Sequence, residues 1–204
     1  MKEPAPKKRV RDTSKKRKSI LLAALRVFRE EGYEKSSMDK VAEVASASKR
    51  TLYNHFPSKE KLFLAIVDEF LNEVISLRKL QYSPSRSLED QLNEFAEGEL
   101  FFVNDPTRLG ISKILTSVFL HNAKLAIQTK AKYSSDQARL IQWLRAAHKD
   151  KTLDVPNAKL AARLFYSMIQ GALTWPALFR GSLAPNATVV KKEVIRVFLA
   201  GYMR

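Results

Sequence analysis

Cysteine is absent from this chain, which excludes disulfides, thiolate zinc sites and cysteine nucleophiles at once. Histidine is scarce: His55, His121 and His148 lie far apart with no ligand-like spacing, so no metal site and no cofactor is expected. No apolar run approaches the ~18–20 residues of a membrane-spanning helix. The basic N-terminus leads into Ser19–Leu25, which breaks at Arg26, Arg29 and Glu30 without a cleavage-like site. No signal peptide and no insertion into a membrane are therefore expected, and the chain reads as cytoplasmic. Glycine (6) and proline (8) are few in 204 residues, and no alternating run is long enough for a strand. With 45% hydrophobic residues at helical spacing, an all-α fold with a real core is expected.

Negative charge is also in short supply, with 36 Lys and Arg against 21 Asp and Glu and a formal charge of +15. Residues 1–62 hold 17 basic against 8 acidic side chains, so the surplus is concentrated in the N-terminal third. Such a footprint points to a polyanionic partner, nucleic acid or an anionic membrane surface.

The division expected along the chain is a flexible basic arm at 1–14, a helix-turn-helix unit at 15–62 and a larger helical unit at 63–204. The arm holds Pro4, Pro6, Lys7, Lys8, Arg9 and Arg11; as an extension along the minor groove, an import-like cluster or plain disordered chain, it stays open. Helix 1 is expected from near Thr13, with Leu21, Ala24, Leu25 and Phe28 inward and Gly32 as its stop. Ser36 with Asp39 fits a capping box for a second helix that buries Met38, Val41, Ala42 and Ala45. After the turn Ser46-Ala47-Ser48, Ser48 caps a third helix, Lys49 to His55, which Pro57 ends. Ser58 caps a long fourth helix to about Leu80, striped by Leu62, Phe63, Ile66, Val67, Phe70, Val74 and Leu77. Further helices are expected at 87–104, 107–130, 134–149, 157–179 and 188–204.

On the third helix Leu52 and Phe56 face inward, while Lys49 and Tyr53, with Arg50 and Asn54 beside them, share an outward side flanked by Thr51 and His55. Lysine and arginine neutralise phosphates or donate to guanine, asparagine can bond adenine twice, and tyrosine and threonine reach phosphates or thymine methyls. That face suits a recognition helix. The alternatives are an RNA- or membrane-docking helical protein and an enzyme. Three Ser-x-x-Lys matches (from Ser37, Ser46 and Ser58) lack the Ser-Asp-Asn and Lys-Thr-Gly partners that chemistry needs. There is also no phosphate-cradling glycine loop and no Gly-x-Ser-x-Gly, so no catalytic residues are assigned.

From Ile20 to Phe63 the chain resembles the N-terminal domain of TetR/AcrR-family transcriptional regulators. The resemblance rests on Leu22–Phe28, Gly32-Tyr33-Glu34, Ser37–Ala42 and Ser48–Phe63, in order and at family spacing. It implies operator contacts from Ser37, Lys49, Arg50, Thr51, Tyr53, Asn54, His55 and Lys59. Lys49, Arg50 and Asn54 would be base readers, and Tyr53, His55 and Lys59 phosphate anchors. The chain departs from the family at its turn, which is usually Ala-Gly-Val-Ser; here Ser46 takes the glycine position, at a cost in strain.

The helices near 157–179 and 188–204 each carry two apolar stripes, and one stripe more than a domain needs suggests a second subunit. The resemblance implies a homodimer through the last two long helices, here assigned to Ala162, Tyr166, Ile169, Leu173, Val194, Val197 and Phe198. It further implies a small-molecule effector in the C-terminal core, by default apolar or aromatic, lined by Phe70, Phe101, Phe102, Phe119, His121, Asn122, Trp143, Met168 and Trp175. The function so implied is a ligand-responsive repressor that binds palindromic double-stranded operator DNA, its two recognition helices about 34 Å apart.

Overall fold

The computed structural model describes residues 8–77 and 81–203, with side chains at 13–72, 81–129 and 138–203. Helices follow one another as α1 (Lys8–Glu31), α2 (Met38–Val44), α3 (Lys49–His55), α4 (Lys59–Leu77), α5 (Leu88–Leu100) and α6 (Pro106–His121). Then come α7 (Ala123–Lys149), α8 (Ala158–Ile169), a π-helical turn (Gln170–Thr174), α9 (Trp175–Arg180) and α10 (Ala187–Ala200). Among the described residues the nearest thing to a strand is one isolated bridge between Leu153 and Met203.

Several boundaries differ from expectation, each for a local reason. Helix α1 starts at Lys8 rather than near Thr13: no Gly or Pro intervenes, and Lys and Arg are good helix formers. The arm expected at 1–14 is thus helical from Lys8 on, and its first seven residues lie outside the described part. The cap of α2 is Ser37, whose side chain accepts from the Lys40 N–H at 3.1 Å. Ser36 is buried instead, its hydroxyl donating to the Tyr33 carbonyl at 2.7 Å, and so cannot serve. Asn122 separates α6 from α7, accepting from the Leu125 N–H at 3.1 Å, whereas the break expected between helices at 107–130 and 134–149 falls inside α7. The widened turn before α9 follows from Pro176, which has no N–H for a regular α-turn and needs room for its ring. The last helix ends at Ala200, and the chain folds back so that the Tyr202 carbonyl accepts from the Asp154 N–H at 2.7 Å.

Two apolar clusters form the core. One joins Ile20, Ala24, Val27, Val41, Leu52, Phe56 and the α4 residues Leu62–Leu71 to Leu115, Val118 and Leu125. The other joins Leu92, Phe95 and Leu100 to Trp143, Leu144, Phe165, Ile169, Ile195 and Phe198. Phe102 packs against both. The inward residues expected for α2 and α3 and the α4 stripe as far as Phe70 are buried; the side chains of Val74 and Leu77 lie outside the described ones. The N-terminal cluster does not stop at residue 62, because α4 lies in it and α6 and α7 close it from behind.

Candidate nucleic-acid interface

The short α3 is held from both ends. Ser48 caps it, its hydroxyl oxygen accepting from the Thr51 N–H at 3.1 Å and lying 2.8 Å from the Thr51 hydroxyl. Leu52 and Phe56 anchor it in the core. That leaves Lys49, Arg50, Tyr53 (47% exposed) and Asn54 on the solvent side, with Thr51 and His55 half-buried at its edges. Hydrogen-bonding groups thus line one exposed face of a rigid element, which is what reading base edges and phosphates requires.

Local electrostatics tune this face. The Lys49 ammonium donates to Asp39 of α2 at 2.6 Å. That hydrogen bond and then the carboxylate's charge raise the Lys49 pKa above its ordinary value. Asp39 holds the lysine across the two helices until a stronger anion competes for it. Ser37 is exposed at the head of α2, and its oxygen is engaged by the cap.

Lys59 lies elsewhere in the network than the resemblance implied. Its ammonium donates to the carbonyls of Tyr33 (2.7 Å), Ser36 (3.0 Å) and Glu34 (3.1 Å) and sits 4.6 Å from the Tyr33 ring centroid. An ammonium has three protons, and all three are used on the α1–α2 connection, so Lys59 fastens the fold there. Tyr33 beneath it is buried between Phe28 and Phe63. Burial first, then the charges of Glu60 and Glu34, push its phenol up to about 12.

Two residues of α1 that the sequence pattern did not single out tie the head together. Ser46 has φ +46°, in the left-handed region, as its glycine-like position required. Its carbonyl accepts from the Lys16 ammonium at 2.7 Å, and the Ala45 carbonyl accepts from the same group at 3.3 Å. Arg17 lies 5.4 Å from the Phe56 ring centroid and bridges to Glu69 at 3.5 Å, tying α1 to α3 and α4. Both had looked like two more charges in a basic run; only the packing of α1 across the turn distinguishes them.

The residues expected around one effector pocket are dispersed. Trp143 is fully buried in the C-terminal cluster, its indole N–H donating to Gln91 at 3.0 Å, and Met168 packs on the same cluster. Phe119 meets Phe63 (6.0 Å) in the N-terminal cluster, and Phe101 lies under the Arg108 guanidinium (3.7 Å). His121 is exposed at the end of α6, its ring nitrogen 2.8 Å from the Ser117 carbonyl, and Asn122 is a cap. Trp175 is 42% exposed and stacks on Phe179, 83% exposed. Phe102 meets Phe70 and Phe101, with ring centroids 5.1 and 6.2 Å apart respectively, along the seam of the two clusters.

The stripes of the last helices are assigned the other way round. Ala162, Tyr166, Ile169, Leu173, Val194 and Phe198 are buried within this chain, and of the seven residues expected at a subunit contact only Val197 is exposed. The open face carries Leu160, Leu164, Trp175, Phe179 and Val197 instead. Helical spacing shows that two stripes exist; which one meets α5 and α7 is settled by how those helices pack.

Residues 20–66 match the family described as bacterial regulatory proteins, tetR family, and residues 90–204 the C-terminal domain of AefR-like transcriptional repressors. A TetR family transcriptional regulator from Pseudomonas syringae superposes with a TM-score of 0.75 at 30% identity, covering 94% of this chain and 98% of that one. The transcriptional activator FasR of Mycolicibacterium smegmatis is 28% identical over 56% of this chain and 52% of its own length. The regulator RutR of Escherichia coli is 42% identical over 32% of this chain and 31% of its own. This chain therefore matches about half or less of those two relatives' length. Among the described residues no helix is long and apolar enough to cross a membrane. Matched over its N-terminal helices and its C-terminal part alike, the chain belongs to the TetR family of helix-turn-helix transcriptional regulators, whose members matched here are regulators and not enzymes.

Proposed function

We propose that the chain is a homodimeric repressor that binds a palindromic double-stranded operator and is released by a small apolar or aromatic effector. The observation that carries the reading is the exposed face of Lys49, Arg50, Tyr53 and Asn54 on a capped, core-anchored α3. In this reading residues 15–62 are the reading head and 63–204 the effector-binding and dimerising body. Arg50, Asn54 and Lys49, once freed from Asp39, read bases; Tyr53, His55, Thr51 and Ser37 hold phosphates or sugars. Lys59 supports them from behind.

The dimer face is the exposed stripe of Leu160, Leu164, Trp175, Phe179 and Val197, whose solvent-facing apolar area favours burial against a second copy. The effector site is the aromatic seam of Phe70 and Phe102, where α4 leaves the head and enters the body. A ligand there would shift α4 and with it the spacing of the two heads. An aromatic effector gains support from the flavonoid-responsive regulator FrrA, which superposes with a TM-score of 0.73 at 26% identity over 93% of this chain and 98% of its own. Repression rather than activation follows the AefR-like match of the C-terminal part.

The test is protection of a duplex selected by the protein from a random-sequence pool. Wild type is expected to protect an inverted repeat, and an Arg50→Ala/Asn54→Ala variant to lose about 2–6 kcal/mol per head, the sum of two base contacts. Unchanged binding by that variant would remove α3 from the recognition role.

A further inference from the structure

Helix α1 carries cations that the reading head, as described so far, does not use. Its core side holds Ile20, Leu21, Ala24, Val27 and Phe28. On another side, against the end of α2, lies an open groove of about 480 Å³ lined by the cations Lys15, Lys18 and Arg26 and the apolar Leu22, Ala23 and Val44, with no carboxylate. Arg26 is paired with Glu30 at 3.0 Å, but Lys15 and Lys18 have no ion-pair partner among the described residues. Both lysines are exposed.

The place of this cationic face matters as much as its charge. Lys16, between the two lysines in the chain, bonds the carbonyls of Ala45 and Ser46. That contact fixes this part of α1 beside the turn from which Lys49 and Arg50 emerge. The groove's lysines thus belong to the stretch of α1 that is pinned to the turn leading into α3. Like charges left unpaired next to one another are costly unless a polyanion shares them.

Resting on the reading of α3 as the recognition helix, we propose that Lys15 and Lys18 bind backbone phosphates of the DNA flanking the bases that α3 reads. They add length and salt dependence to the contact, and no base preference. The apolar Leu22, Ala23 and Val44 would also suit an acidic amphipathic helix. DNA is favoured because Lys16 fixes this stretch of α1 beside the turn that leads into α3, where a duplex read by α3 would pass.

The test uses the full chain and a duplex selected by it from a random pool, in full length and trimmed to the core that α3 protects. Each phosphate neutralised contributes about 0.9 to the slope of log affinity against log salt. Lys15→Gln/Lys18→Gln is expected to lower that slope by about 2 per subunit on the long duplex. It should leave the preferred bases unchanged and bind the trimmed duplex as wild type does. Lys15→Arg/Lys18→Arg should keep the wild-type slope, separating charge from any structural effect, with thermal melting of all variants as the control. An unchanged slope and affinity for the Gln variant, while Arg50→Ala weakens site binding, would overturn the proposal and leave the recognition helix standing; the groove would then fit the acidic helix. If Arg50→Ala also binds unchanged, the recognition-helix reading itself fails and takes this proposal with it.

Discussion

The two halves of this molecule solve their packing problems differently. In the head, α2 and α3 have seven residues each, and contacts from outside those helices hold both. Ser37 and Ser48 cap them, Lys16 holds the turn, and Lys59 fastens the α1–α2 connection. Isolated helices that short are not stable in water, so their presentation to DNA depends on these polar fastenings as much as on Leu52 and Phe56. The body is built from longer helices whose apolar faces do most of the work, and it keeps a π-turn, an exposed aromatic pair and a buried Lys191 paired with Glu97. The head is thus over-determined around one geometry. The body retains the features from which a second subunit or a ligand could gain free energy.

The sharpest way to break that comparison is Leu52→Ala. Leu52 is fully buried, and its truncation is expected to cost about 2–5 kcal/mol. Both tryptophans, Trp143 and Trp175, lie in the body. If the halves unfold separately, helical dichroism will lose a first transition that tryptophan fluorescence does not see. A single coincident transition would instead show that Leu115, Val118 and Leu125, which close the head's core, weld the two together.

Phe179→Glu addresses the body's open face. Its side chain is 83% exposed, so folding should be unaffected while a dimer resting on this stripe loses about 2 kcal/mol or more. Sedimentation should then show the dissociation constant rising about 30-fold. An unchanged constant would move the subunit contact elsewhere.

Lys59→Ala tests the fastening of the head. Losing a charged donor to three carbonyls should cost about 1.5–3 kcal/mol in thermal unfolding. The salt dependence of DNA binding should stay as in wild type, whereas Lys49→Ala should relax the base preference at one operator position, at about 1–3 kcal/mol. A Lys59→Ala variant that melts normally but loses salt dependence would restore lysine 59 to the phosphate contacts.

Ser46→Gly carries the smallest expected effect. Relief of the left-handed backbone at φ +46° is partly offset by glycine's greater freedom when unfolded, leaving a gain of about 0.5–1 kcal/mol. A loss of stability on this substitution would mean that the serine side chain contributes more than the strain it imposes.

Much of the head could be read from the chain alone because its signals are local. A cap, a turn, a proline and an inward pair three or four residues apart all fall within a window of ten residues. The limits of α3, its buried Leu52 and Phe56, and the strain at Ser46 are all of this kind. Ser36 and Ser37 are both capping residues by type, and only the Tyr33 carbonyl, reached through the folded loop, draws Ser36 inward. The effector residues were drawn from aromatic stripes, which mark burial without saying against what. Trp143 went to a core and Trp175 to the surface.

The amino-acid sequence by itself determined the helical class, the basic N-terminal third, the capped α3 and the family to which these belong. The tertiary structure decided that Lys16 serves the fold while Lys15 faces solvent, which stripe of α8 and α10 is left open, and where α6 gives way to α7. The reason is physical: periodicity and capping act through neighbours in the chain. The fate of a charge or an apolar stripe depends on partners tens of residues away, as Lys16 meets Ser46 and Trp143 meets Gln91.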